Sequence, residues 1–363
     1  MTLRSVDLVS AGLVPTERLG EVRRVVEQFQ VALTDDVTAL IDPADPHDPI
    51  AAQFVPSAAE LQTTKEEQAD PIGDERWSRL PGIVHRYPDR VLLKPSLVCP
   101  VYCRFCFRRE QIGARGKVLG RAALEKAYAY IRERPEIWEV IVTGGDPFLL
   151  TPRRVTSIVG TLAAIEHVQV IRFHTRVPIV DPKRVTAALV DALAVEKAIY
   201  VVVHANHPRE LTDAAKAAVK RLVRAGIPVL SQSVLLRGVN DDAAVLEQLF
   251  RALVAMRVKP YYLHHPDLAR GTSHFRGNIA DGQALTRELR RRASGLCQPT
   301  YVLDIPGGHG KVPIGPCWLH RDGEGWRVED GASVTHSYPP SIEGDDRPAS
   351  VEPQVEDLPT CLS

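Results

Sequence analysis

From Arg90 onward, apolar runs of about four to eight residues alternate with amphipathic stretches of about 12 to 18. Few folds accept that alternation. A strand buried on both faces reads as a short continuous apolar run, and the helix that covers it repeats at 3.6 residues. In turn they make βα units and a parallel sheet. Strands are expected near Val91–Leu93, Val140–Thr143, Val168–Phe173, Ala198–His204, Pro228–Ser233 and Lys259–Leu263, with a further one near Thr300–Asp304. Helices are expected near Ala122–Arg134, Arg153–Ile165, Arg184–Val195, Asp213–Arg224 and Asp242–Met256. Six such units predict an α/β fold of the partial (β/α)6, TIM-like barrel type, with its chemistry at the C-terminal ends of the strands. Residues 1–85 read as a helical N-terminal extension, including a helix over Thr16–Leu33, and residues 86–296 as the barrel. Residues 297–336 read as a short C-terminal segment, and the acidic, proline-rich stretch 337–363 as a disordered tail.

Just after the first expected strand comes Cys99-Pro-Val-Tyr-Cys103-Arg-Phe-Cys106, a C-x3-C-x2-C run in a chain of six cysteines. A structural zinc site closes its shell with four ligands. A cubane iron–sulfur cluster has four irons, each needing an outer ligand. Three thiolates would leave one iron open to something that is not protein; three cysteines in a metal-free loop are the alternative. Lysine plus arginine and aspartate plus glutamate both number 45, so the net charge is zero and no nucleic-acid or membrane-surface partner is indicated. No secretory pattern opens the chain, and no apolar window approaches the ~18 residues of a membrane span. Clustered cysteines fit a reducing compartment, so a cytoplasmic location is expected.

A second constellation follows Tyr301-Val-Leu303: Asp304-Ile-Pro-Gly307-Gly308-His-Gly310-Lys311. A glycine-dense loop lets backbone approach a ligand closely. Its terminal lysine could contact a phosphate or form a Schiff base with pyridoxal phosphate (PLP). The P-loop pattern fails, because Val312 stands where serine or threonine belongs. An ordinary surface turn is the remaining alternative.

The three-cysteine loop resembles that of radical S-adenosylmethionine (radical SAM) enzymes. With both sites in one chain, residues Trp77 to Pro316 resemble the lysine 2,3-aminomutase family of radical SAM, PLP-dependent enzymes. The resemblance runs through His85-Arg-Tyr-Pro-Asp-Arg90, the cysteine run with Arg108-Arg109, Val142-Thr-Gly-Gly-Asp146 and His204-Ala-Asn-His-Pro208. It continues through Gln232–Asp241, Pro260–Asp267, Gly271–Arg276 and Pro306–Lys311. It implies that Cys99, Cys103 and Cys106 hold a 4Fe–4S cluster, shielded by Tyr102 and Phe105. Gly144, Gly145 and Asp146 match the segment that receives SAM, and His204 and Gln232 match positions around the cofactors. Lys311 is implied as the PLP lysine, with Arg86 and Arg90 on the PLP phosphate, whose geometry suits forked guanidinium donors. Arg108 would grip the substrate carboxylate, and Asp267 and Asp304 the ε-ammonium of L-lysine. Two carboxylates around one cation disfavour an acidic substrate by repulsion. A 2,3-aminomutase interconverting L-lysine and β-lysine by 5′-deoxyadenosyl radical chemistry is thereby expected, fed by a flavodoxin- or ferredoxin-type electron donor.

The resemblance also has departures. Asp242 stands where relatives carry a zinc cysteine, Cys297 and Cys317 lack C-x2-C partners, and only Cys361 lies in the tail. No structural zinc is expected, and a homo-oligomer is left open. A mutase for another amino acid, an enzyme making (R)-β-lysine for elongation factor P, and a non-catalytic binding protein remain as alternatives.

Overall fold

The computed structural model describes residues 2, 3, 5–112, 118–331 and 333–340. The expected disordered tail falls largely on 341–363, Cys361 included, which lie outside the described residues.

Seven parallel strands follow one another in both sequence and space: β1 (Arg90–Ser96), β2 (Glu139–Gly144), β3 (Val170–Thr175), β4 (Ala198–His204), β5 (Val229–Val234), β6 (Val258–His264) and β7 (Thr300–Ile305). Antiparallel strands extend both edges, with Ser78–Leu80 and Ile83–Tyr87 beside β1 and β8 (Gly310–Pro313) beside β7. The two edges approach each other, since the Lys311 amide donates to the Tyr87 hydroxyl at 2.8 Å. The sheet curls into an incompletely closed barrel, and Ile83–Tyr87 runs across the expected boundary at residue 85.

The outer layer is α1 (Arg121–Arg132), α2 (Pro152–Ala163), α3 (Ala187–Asp191), α4 (Asp213–Arg224), α5 (Ala243–Ala255) and α6 (Ile279–Arg292). Local chemistry sets where they start. In α4, the Thr212 hydroxyl accepts from the Ala215 amide at 3.1 Å, and Ala215, Ala218, Val219 and Leu222 form the buried stripe. Asp242 caps α5 by accepting from Ala244 and Val245.

Three expectations need correction. The helix expected over Arg184–Val195 shrinks to α3, because Val185 adopts a non-helical ψ of 69° and Thr186 caps a fresh start. The helix expected over Thr16–Leu33 is helical over Leu19–Gln28, after which Phe29 turns extended and Val31–Ala32 pairs with Thr2–Leu3. From Leu319 the chain forms a three-stranded antiparallel sheet: Leu319–Asp322, Gly325–Glu329 and Thr335–Tyr338. Its first hairpin turns on Gly323 at φ 60°, so Ser337 and Tyr338 belong to a strand rather than to a disordered tail. No helix among the described residues is long and apolar enough to cross a membrane.

Candidate active site

A cavity of about 560 Å³ runs inside the barrel. Strand periodicity decides what faces it. In β5, Ser231 and Ser233 are buried in the wall, whereas Gln232 between them lines the cavity. His174 on β3, His204 on β4 and His264 on β6 also line it near the ends of their strands. His204 Nδ1 meets Gln232 Nε2 at 3.5 Å, and the rings of His174 and His204 meet edge to face. The Nε2 atoms of all three histidines are buried without a partner. Burial keeps them neutral by pushing their pKa down, to about 3 for His204. Buried polar atoms without a protein partner, on residues that line a cavity, suit hydrogen bonds to a ligand held there.

Beside these lies a knot of charge built on one N-terminal residue. The Asp74 carboxylate receives Arg108 Nε at 3.0 Å and Nη2 at 2.8 Å, and Arg86 at 3.2 Å, with Lys94 3.9 Å away. Burial alone would raise the Asp74 pKa, but Arg108, Lys94 and Arg86 outweigh it and hold it low. Three cations on one anion leave this wall positive, which suits an anionic ligand. Arg90, four residues before Lys94 on β1, stacks 3.8 Å above the Tyr87 ring and bonds Asp89 at 2.7 Å. Asp74→Asn is expected to cost about 3–5 kcal/mol, the scale for stripping the partner from buried charges. Urea denaturation checks it: an unchanged midpoint would mean the cations find other partners.

Lys311 sits on β8 and lines the same cavity. Its Nζ bonds Asp304 Oδ2 and lies 3.2 Å from His264 Nδ1. Asp304 also faces His264 at 3.5 Å. Burial would raise the Asp304 pKa, but His264 and Lys311 drive it far down. Asp267 behaves oppositely: burial and the neighbouring Asp304 charge push it up to about 7, and its Oδ1 has no partner. The glycine loop approaches backbone closely. A Cβ on Gly308 would lie 2.6 Å from Trp77 Nε1, whose N–H donates to the Gly308 carbonyl at 2.9 Å.

The cysteine loop follows β1 at the same rim. It is stapled by the N-terminal extension: the Tyr102 amide donates to the Ala32 carbonyl at 3.0 Å, and the Arg104 amide to the Gln53 carbonyl at 2.8 Å. The Arg104 guanidinium bonds the buried Glu60 carboxylate at 2.5–3.1 Å, and Arg109 bonds the same carboxylate. Gly144 and Gly145 back the loop. A Cβ on Gly145 would lie 2.3 Å from the Val98 carbonyl oxygen, and the Gly145 and Asp146 amides donate to Ser96 and Val98. The resemblance puts Asp146 among cofactor contacts, yet its carboxylate turns inward. It accepts from the Thr175 hydroxyl at 2.6 Å and from the amides of Arg176, Phe148 and Val177 at 2.7–3.0 Å. That side chain braces the ends of β2 and β3.

The three cysteines fit a cluster. Burial raises the Cys99 thiol well above its usual range and Cys106 to about 11, with neighbouring cysteines adding to both. Thiols so disposed become thiolates by binding metal. Among the described residues no three His, Cys, Asp or Glu side chains converge on a single ion, and a cuboidal cluster does not require it, since each thiolate takes its own iron.

Sequence reasoning missed Gln53, Glu60, Asp74, Lys94, His174 and Arg176. The first three lie in the extension, and no spacing ties them to the barrel. His174 lies one residue beyond the expected strand Val168–Phe173 and inside the observed β3, so the inward period was its one available signal.

A parallel barrel with a three-cysteine loop at its C-terminal rim is the arrangement of a radical SAM protein, and residues 93–249 match the Radical SAM superfamily. That class implies SAM and an iron–sulfur cluster. The chain is 39% identical over 321 residues to the L-lysine 2,3-aminomutase of Clostridium subterminale, covering 88% of this chain and 77% of that one. It is 40% identical over 307 residues to the same-named protein of Acetoanaerobium sticklandii, with 85% and 74% covered. It is also 34% identical over 345 residues to a glutamate 2,3-aminomutase of Clostridioides difficile, covering 94% and 82%. The chain belongs to the lysine 2,3-aminomutase family of radical SAM enzymes, which are isomerases.

Proposed function

We propose that this enzyme is a 2,3-aminomutase for L-lysine, with PLP carried on Lys311. The observation that carries the reading is the pair of partly buried carboxylates, Asp267 and Asp304, which line one cavity together with Lys311, Arg86 and Arg108. A lysine zwitterion has that polarity: a carboxylate at one end and an ammonium at the other.

When bound, SAM on the reduced cluster supplies a 5′-deoxyadenosyl radical, and PLP supplies a π-system that spreads unpaired spin. The chain's residues hold, orient and exclude. Cys99, Cys103 and Cys106 ligate the cluster, and Gly144 and Gly145 let backbone close behind it. Arg86 and Arg90 hold the PLP phosphate. Arg108 spends Nε and Nη2 on Asp74, so its remaining Nη1 edge is directed to the substrate carboxylate. His204 and Gln232 separate the two cofactor zones as neutral hydrogen-bonding groups. Asp304, paired with Lys311 in the free protein, would be available to the substrate ammonium with Lys311 engaged by PLP. The barrel interior shields a reactive carbon radical from water and oxygen. A flavodoxin- or ferredoxin-type protein in a reducing cytoplasm would supply the electron.

Anaerobic reconstitution, then chromatography of lysine, arginine and glutamate each incubated with SAM, PLP and dithionite, tests the reading. β-Lysine is the expected product; faster consumption of glutamate would overturn it. A pH profile adds a second check. Asp267 is protonated below about pH 7 and cannot then pair an ammonium. Hence kcat/KM for lysine should fall about tenfold per unit as pH drops below 7 and level off above it. Asp267→Asn should erase that limb.

A further inference from the structure

We propose that Arg176 is a positioning residue that tunes the cluster, using its N–H···S bond to Cys103 to favour the reduced state. Arg176 follows β3 and is buried, with Nη1 2.8 Å from Cys103 Sγ. Its other terminal nitrogen is clamped, Nη2 donating to Gln53 Oε1 at 2.7 Å and to Glu210 Oε2 at 2.6 Å. Phe54 and Phe105 lie across the guanidinium at 4.5 and 5.4 Å. Each clamp is itself held: Glu210 accepts from the Asn206 and His207 amides at 2.8 and 2.9 Å, and Gln53 accepts from Asn206 Nδ2 at 3.0 Å. The guanidinium therefore cannot swing away, and its aim at sulfur is built into the fold.

The physics follows from the charge change. Reduction adds one electron to a centre held by anionic sulfur, and hydrogen bonds to the sulfurs and nearby charge are among the protein's means of setting its potential. A fixed guanidinium donor in a buried site stabilises the added charge more than an exposed one would. Glu210 counteracts it, so the two residues should act with opposite signs. One electron enters from a low-potential donor and no bond is made or broken at Arg176. The inference rests on the three cysteines holding a cluster.

Redox titration with dithionite, followed by electron paramagnetic resonance on SAM-free reconstituted protein, tests it alongside iron and sulfide analysis. Arg176→Met should cut the reduced-to-oxidised ratio at a fixed poise at least tenfold, about 59 mV for a one-electron couple. Glu210→Gln should shift the potential the other way. Arg176→Lys, which keeps the charge and loses the reach, should fall between Arg176→Met and the unaltered protein, and serves if Arg176→Met fails to fold. Unaltered potentials in cluster-loaded variants would overturn the proposal. So would shifts of the same sign in Arg176→Met and Glu210→Gln, or a shift seen only with SAM present, which would make Arg176 a SAM contact. An unaltered protein that binds no iron would overturn the cluster reading itself.

Discussion

Lys311→Ala is expected to abolish the yellow absorbance of bound PLP and to lower lysine turnover by on the order of 10³-fold or more, the scale on which a covalent-catalysis residue counts. The size of the effect follows from where Lys311 stands. It enters the cavity from the strand that bridges the open edge of the barrel, and its amide bonds the Tyr87 hydroxyl. Asp304 and His264 flank its amine. Burial and the Lys311 charge keep His264 neutral, a hydrogen-bonding neighbour beside the amine. Alanine removes the nucleophile and leaves Asp304 beside an empty position. Absorbance of the PLP-loaded protein and anaerobic turnover are the two measurements. Wild-type turnover with added PLP would remove Lys311 from the chemistry.

Asp267→Asn should have the second largest effect, lowering kcat/KM for lysine by about 30-fold to several thousand-fold. That range corresponds to the ~2–5 kcal/mol cost of truncating one partner of a buried charge pair. The loss should be selective. A substrate whose side chain lacks a cation has no ammonium to strand, so its kcat/KM should change far less. The measurement is kcat/KM for lysine against an uncharged analogue of similar length, in variant and wild type. Equal losses for both would mean that Asp267 supports the cavity wall and does not read the ammonium. A family that includes a protein named for glutamate makes this comparison the direct test of substrate choice.

Much of this was legible without coordinates. The two periods, short apolar runs and amphipathic stretches, predict a parallel α/β barrel, and all seven expected parallel strands are present, with ends moved by a few residues. α3 came out much shorter than expected because capping by Thr186 and the backbone at Val185 override helix propensity. The small C-terminal sheet escaped notice because an acidic, proline-bearing composition masked the alternation in Gly325–Glu329 and Thr335–Tyr338. In the site, cysteines three and four residues apart and a lysine closing a glycine loop are local patterns, so they can be read along the chain.

What the linear order could not show is which distant charges meet. Glu60 lies 44 residues from Arg104, Asp74 lies 34 from Arg108, and Gln53 lies 123 from Arg176. Their partners are chosen by how the N-terminal extension wraps the rim of the barrel. The amino-acid sequence by itself determined the barrel, the three-thiol loop and the lysine, because each is a short-range pattern of polarity or ligand spacing. Only the tertiary structure decided that Asp74 knots three cations, that Asp146 turns inward as a brace, and that Arg176 is aimed at a cysteine sulfur. Those are outcomes of burial: a charge taken out of water must find a partner, and the partner is whatever the packing brings within reach.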